Sequence, residues 1–241
     1  MPAHNDRKSN QTSGKQSPSR RGPKPTLSTA VVALAAIRLA DAEGLDAITM
    51  QRVAQNVGVT TMALYRYFSG KGELMDHMID WVSESAPEFG KPKLKWSSRL
   101  KNWAHRCLAI YQSHPWFLEA TSVRHSTMGP NQSLWMEAAL AMLAEAGLSL
   151  EDRISAFFAV IAHVRGHATF QQYEKSKQAN EDWSRNLSQL LLPEAAHYPN
   201  LLKTVNSSSF SKGPDRAFDF GLECIIEGIN TRAKRRSLHS D

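Results

Sequence analysis

Apolar residues along the chain recur mostly three and four positions apart, the period of helices with one buried face. Over 29–43, Val32, Ala35, Ala36 and Leu39 fall on a single face. Ser28 stands where an N-cap is expected, and Gly44 where the left-handed residue after a helix is expected. Two short helical pieces follow between Thr49 and Phe68. A fourth helix runs through Leu74, Met78 and Trp81, with Ser69 as its expected cap. Pro87 to Pro92 reads as a linker, and helices are predicted beyond it at about 94–113, 115–126, 131–146, 150–173 and 214–235. The segment 174–213 contains QANEDWSRN, Pro193, Pro199 and VNSSSFSKGP. It reads as a long mobile connection with helical turns only near 186–192 and 199–204. No stretch alternates as a strand does and no internal repeat is present, so the expected fold is all-α.

At 241 residues and 41% hydrophobic, the chain can bury a sizeable core. No window reaches the run of about 18 apolar residues that spans a membrane, and no apolar block follows the polar N-terminus. The expected location is the cytoplasm, without membrane attachment. Cys107 and Cys224, far apart in helical patterns and in no CxxC pair, read as two small buried side chains of a reducing compartment rather than a disulfide. Charge is distributed unevenly: residues 1–72 carry ten Lys or Arg against four acids, whereas the other 19 basic residues face 19 acidic ones. The net charge of +6 therefore belongs to the N-terminal third, the pattern of a basic module for a polyanion joined to a neutral body. Residues 1–25 have too little apolar surface to offset the entropy of ordering and read as a disordered basic arm.

The chemistry is concentrated between Thr49 and Lys71. Ala54 lets a second helix approach, Gly58 accepts the positive φ of a tight turn, and Val53, Val57, Val59 and Leu64 form an inward set. This is a helix-turn-helix pattern over about 49–68. Thr49 and Thr60 are the expected N-caps of its two helices, which turns Met50 and Gln51 on one side and Thr61, Met62 and Tyr65 on the other toward a DNA groove. With Leu64 and Phe68 inward, Tyr65, Arg66 and Tyr67 are left to meet phosphate or bases. Lys71, at the start of the fourth helix, adds an ammonium to the positive end of that helix. The expected partner is double-stranded operator DNA.

MQRVAQNVGV followed by TTMALYRYFSGKGEL, with Leu64, Tyr65, Phe68 and Lys71 as an L-Y-x-x-F-x-x-K core, resembles the DNA-binding domain of TetR-type transcriptional regulators. RRGPKPTLS is similar to the basic arm that precedes the first helix in many members. MEAALAMLAEAGLSLEDRISAFFAVIAHVRGH and DRAFDFGLECIIEGI resemble the C-terminal half of the tetracycline-repressor subgroup. The resemblance implies a DNA-binding domain at 26–86, a ligand-binding and dimerisation domain at 93–236, and a short tail at 237–241. It also implies a repressor, a small-molecule effector and a homodimer held by the helices 150–173 and 214–235. Their apolar faces, Phe157, Ile161 and Val164 with Phe218, Leu222, Ile225 and Ile229, are the expected interface.

The subgroup holds its drug as a magnesium chelate through a histidine and, by way of water, an acid. Ungapped alignment of SLEDRISAFFAVIAHVRG puts Phe170 at the acid's position, while the histidine's position falls at about 121–123, with His125 the nearest histidine. Both groups are missing, so the implied ligand is different and metal-free, in a similarly placed pocket. Aromatic and Met side chains there suit a drug-sized apolar molecule. The candidates are Trp103, Cys107, Tyr111, Trp116, Met128, Trp135, His163, His167 and Phe170, led by Trp103, Tyr111, Trp116 and Trp135. His163 and His167 share a helix face, a spacing that can hold a metal. No third ligand lies near in sequence, so they are expected to be structural, and no cofactor is expected. The competing readings are a non-specific nucleoid-type DNA binder and a helical enzyme using the His163/His167 helix. Against an enzyme, the chain has no nucleophile elbow, phosphate-binding glycine loop or paired carboxylates.

Overall fold

The computed structural model describes residues 27–84, 94–122, 128–173, 177–207 and 214–238. The basic arm 1–25, the linker 87–92, His125 and the last residues of the tail lie outside them. Among the described residues there are eleven α-helices and no strand, so the all-α expectation holds.

Helix α1 (Thr29–Glu43) opens where Ser28 Oγ accepts the Val31 N–H at 3.3 Å and closes on Gly44 at φ 84°. A 3-10 turn, Leu45–Ala47, leads to α2 (Met50–Val57), which Thr49 caps by accepting the Arg52 N–H at 3.2 Å. Gly58 then takes the left-handed φ of 73°, and Thr60 caps α3 (Thr61–Leu64) through the Ala63 N–H at 3.3 Å. The expected Ser69 cap on α4 (Lys71–Val82) does not form. Gly70 is the extended N-cap, one residue further on, and the Ser69 N–H instead donates to the Glu73 carboxylate at 2.5 Å. That bond holds the Glu73 carboxyl below its usual range.

The second half contains α5 (Trp96–Ser113), α6 (Trp116–Ala120), α7 (Pro130–Glu145), α8 (Leu150–Tyr173), α9 (Lys177–Leu191), α10 (Pro199–Val205) and α11 (Pro214–Ser237). Helix α6 is shorter than the predicted 115–126. The hydroxyls of Thr121 and Ser122 take up the Phe117 and Leu118 carbonyls, each at 2.7 Å, and the chain turns there. The expectation of a long irregular connection over 174–213 is also overturned. Trp183, Leu187 and Leu190 recur at helical spacing, and α9, a 3-10 stretch (Leu192–His197) and α10 occupy most of the segment. Helix α8 packs against α5, α7 and α11, and α4 bridges α1 and α7. One continuous apolar cluster, from Val32 to Ile229, therefore joins both halves.

This packing corrects the expected dimer face. Val164 and Leu222 are 0% exposed, Phe218 and Ile229 are buried, and Phe157, Ile161 and Ile225 pack against the same core. These seven side chains on α8 and α11 are consumed in closing the protomer. The outward stripe lies one step around each helix: Ser155, Ala159 and Gly166 on α8, and Ala217, Gly228 and Cys224 on α11, the last exposed rather than buried as expected, with exposed Phe170 and Phe220 beside them.

Gly221 sets the α8–α11 approach, because a Cβ built there overlaps the His163 ring. That ring stacks on Phe218 with centroids 5.1 Å apart, and its Nε2–H donates to the Phe218 carbonyl at 2.9 Å. Gly221→Ala is expected to lower stability by about 1–3 kcal/mol, the usual cost of overpacking. A denaturant midpoint identical to that of the unaltered protein would contradict this contact.

Candidate nucleic-acid interface and ligand cavity

The helix-turn-helix presents a mixed polar and aromatic surface. Leu64 and Phe68 are buried as expected, which leaves Met62 75% exposed, Tyr65 49% exposed, and Arg66, Gln51 and Lys71 at the surface. Thr49 and Thr60 are exposed at the two helix starts with their hydroxyl oxygens committed to capping, and Thr61 is half-buried. Met50 departs from the expectation. It is only 8% exposed, because Met50, Val53, Ala54 and Val57 form the single inward stripe of α2. Tyr67 is partly committed too: its hydroxyl donates to the Leu27 carbonyl at 3.1 Å, at the point where the preceding segment enters α1. Nearby Arg52 pairs with Glu43 at 2.8 Å, so among the described residues of this face Arg66 and Lys71 are the cations outside an ion pair.

Between α5, α7 and α8 lies a cavity of about 800 Å³. Of the nine predicted lining residues it brings together Trp103, Cys107, Tyr111, Met128 and Trp135. The other four point elsewhere, each for a visible reason. Trp116 is turned toward α1, where its Nε1–H donates to Asp41 Oδ1 at 2.7 Å. His163 and His167 face Phe218 on α11, and Phe170 is 67% exposed on the far side of α8. Among the described residues no group of three or more His, Cys, Asp or Glu could hold a metal. The residues missed include Phe157, Phe158, Met136, Gln132, Ser83 and Arg165. The aromatic ones were visible as helical apolar positions, whereas Arg165 reads in sequence as an ordinary solvent-facing charge.

Burial pushes the Cys107 thiol well above its ordinary value and the Tyr111 phenol upward, so both are neutral at physiological pH. Trp103 supports the wall from within, its Nε1–H donating to the Trp135 carbonyl at 2.9 Å. Trp135 in turn donates its Nε1–H to the Ser83 carbonyl at 2.9 Å, just past the end of α4.

A second tie joins α4 to the same wall. Asp80 Oδ1 accepts the backbone N–H groups of Asn131 at 2.9 Å and Gln132 at 3.2 Å, and Oδ2 accepts from Asn131 Nδ2 at 3.1 Å. A carboxylate from α4 thus caps the N-terminus of α7, whose first turns carry the cavity residues Gln132, Trp135 and Met136. Gly129 makes room for it, since a Cβ there overlaps Asp80. On the opposite side Asp41 of α1 accepts from both His114 Nδ1 and Trp116 Nε1 at 2.7 Å.

A recognition helix exposed beyond a glycine turn and joined through α4 to a closed helical body defines a helix-turn-helix protein with a second, larger domain. The family model described as "Bacterial regulatory proteins, tetR family" matches residues 34–78, and "Tetracyclin repressor-like, C-terminal domain" matches 89–233. The chain belongs to the TetR family of bacterial transcriptional regulators. It is 35% identical over 227 residues to the HTH-type transcriptional repressor DrrR1 of Streptomyces coeruleorubidus, covering 90% of this chain and 82% of that one. It is 27% identical over 205 residues to the class A tetracycline repressor protein from transposon 1721 of Escherichia coli, covering 84% and 88%. Among solved structures, apo ActR from Streptomyces coelicolor superimposes with a TM-score of 0.76 at 26% identity, over 87% of this chain and 98% of that one. ActR in complex with actinorhodin also gives a TM-score of 0.76 at 26% identity, over 85% and 96%.

Proposed function

We propose that the protein is a homodimeric repressor whose α2–α3 units occupy two operator half-sites and that a small aromatic ligand in the cavity releases it. The observation that carries this reading is the pair of hydrogen-bonded ties, Asp80 to the start of α7 and Trp135 to Ser83, that couple the cavity wall to the last helix of the DNA-binding domain. Ligand release is supported by the likeness to ActR, solved with actinorhodin, and repression by the names of the relatives. Thr61 and Met62 approach base edges. Tyr65, Arg66 and Lys71 hold phosphates, and Gln51 with the capped ends at Thr49 and Thr60 borders the groove. A dimer is supported by the outward stripe of small residues on α8 and α11, which lets helix backbones approach closely.

Selecting bound fragments from genomic DNA, then titrating salt with selected and random duplexes, tests the DNA-binding half. Specific complexes exceed non-specific ones by about 10³ to 10⁷, so equal affinity for both duplexes would contradict a regulator and favour a non-specific binder. In the same assay Lys71→Ala is expected to weaken all sequences alike and to reduce the salt slope by about one, whereas Met62→Ala shifts base preference. Identical loss of discrimination in both variants would contradict the assigned roles.

A further inference from the structure

We infer that the cavity takes an aromatic ligand bearing a carboxylate, held by Arg165 and Tyr111. The inference rests on reading the cavity as the effector site. Arg165 reaches the cavity from α8 and donates only to neutral oxygens. Its Nη1 bonds the Tyr111 hydroxyl at 3.2 Å and Thr121 Oγ1 at 2.6 Å, and its Nη2 bonds the Leu118 carbonyl at 3.2 Å and Ser122 Oγ at 2.8 Å. Four fixed oxygens set the guanidinium plane and the Tyr111 ring lies 5.8 Å from it, but no carboxylate among the described residues meets its charge. Arg99, Lys101, Arg185 and Arg232 each have a carboxylate in contact, whereas no ion pair involves Arg165 among the described residues. Among the described residues the cavity wall contains no Asp or Glu, and Arg165 is its one charged residue.

A half-buried cation beside an apolar wall is costly unless an anion joins it, and here the missing anion has a defined place. The hydroxyl hydrogens of Thr121 and Ser122 go to the Phe117 and Leu118 carbonyls. The Tyr111 hydroxyl, fixed by Arg165, carries the hydrogen that can turn to a ligand, and burial keeps it protonated. One guanidinium and one neutral phenol side by side suit a carboxylate, which accepts from both. The rest of the site suits flat rings: Trp103 lies 6.1 Å from Trp135 and 6.0 Å from Phe157, centroid to centroid. A cationic or uncharged ligand would leave Arg165 as it is now. Anionic charge on the ligand is therefore the specificity element.

The test uses a panel of two- to four-ring aromatic carboxylic acids, each with its primary amide, titrated calorimetrically into the full-length protein at neutral pH. At least one acid is expected to bind about tenfold or more tighter than its amide, the advantage of a charge-assisted pair. Arg165→Gln should erase that preference, so that acid and amide bind alike, and Arg165→Lys should restore part of it, since lysine supplies charge without the planar fork. Acids and amides binding the unaltered protein equally well would overturn the inference while leaving the cavity as an effector site. Failure of every compound to bind would overturn the cavity reading as well. The acid-to-amide ratio on the unaltered protein decides the matter even if Arg165→Gln does not fold.

Discussion

Gly166→Arg and Gly228→Arg are each expected to convert the protein to monomers and to weaken operator binding by a factor of about 10² to 10⁴, the advantage lost when two linked modules are separated. Both glycines lie on the outward stripe of α8 and α11, and a Cβ built at either meets no atom within 4 Å. The protomer therefore tolerates the substitution, and replacing a mid-helix glycine favours the helix by up to about 1 kcal/mol. What an arginine cannot tolerate is a second helix packed about 8–10 Å away. Sedimentation of a cooperatively folded monomer, with operator affinity reduced in parallel, is the expected result. Leu222→Arg provides the contrast. Leu222 is fully enclosed within one chain, so a charge there should unfold the protomer rather than divide a dimer. A stable Leu222→Arg dimer, or an undiminished Gly228→Arg dimer, would contradict the placement of the two faces.

The second large effect is expected at Asp80. Its carboxylate caps α7 and simultaneously fixes α4, so Asp80→Ala removes the more extensive of the two ties between the recognition domain and the cavity wall and leaves the Trp135–Ser83 bond in place. Loss of a helix cap costs about 0.5–2 kcal/mol, which the continuous core spanning both domains can absorb. Ligand binding should survive, because Asp80 does not line the cavity. Release should weaken: coupling of about 1–3 kcal/mol, a 5- to 150-fold loss of operator affinity on ligand binding, should fall by about half or more. Trp135→Phe, which deletes the bond to Ser83 and also trims a ring of the cavity wall, should give a partial version of the same defect, with ligand affinity altered as well.

Local signals were read well from sequence, and signals that depend on neighbours were not. Ser28, Thr49, Gly58 and Thr60 act within three or four residues of themselves, so their capping and turning roles follow from residue type and spacing. Ser69 failed because one extended residue, Gly70, separates it from α4. Met50 was assigned outward from its place beside a cap, although the stripe it shares with Val53 and Ala54 points inward. On α8 and α11 the large apolar residues at the predicted positions are the ones that close the protomer, whereas the outward face is marked by small residues beside exposed Phe170 and Phe220. Trp116 and Trp135 are alike in sequence context. Only packing decides that one bonds Asp41 on α1 while the other lines the cavity. Arg165 carried no signal at all, since its meaning depends on Tyr111, Thr121 and Ser122, over 40 residues away.

Coupling between cavity and DNA surface is measured most directly by titrating one cavity-bound ligand into the free protein and into its operator complex. Linkage requires the ligand to lose affinity on the complex by the same factor, about 5 to 150, by which it weakens the operator. Asp80→Ala should reduce both factors together. A ligand that fills the cavity and binds free and operator-bound protein equally, with the operator retained, would contradict a ligand-released regulator.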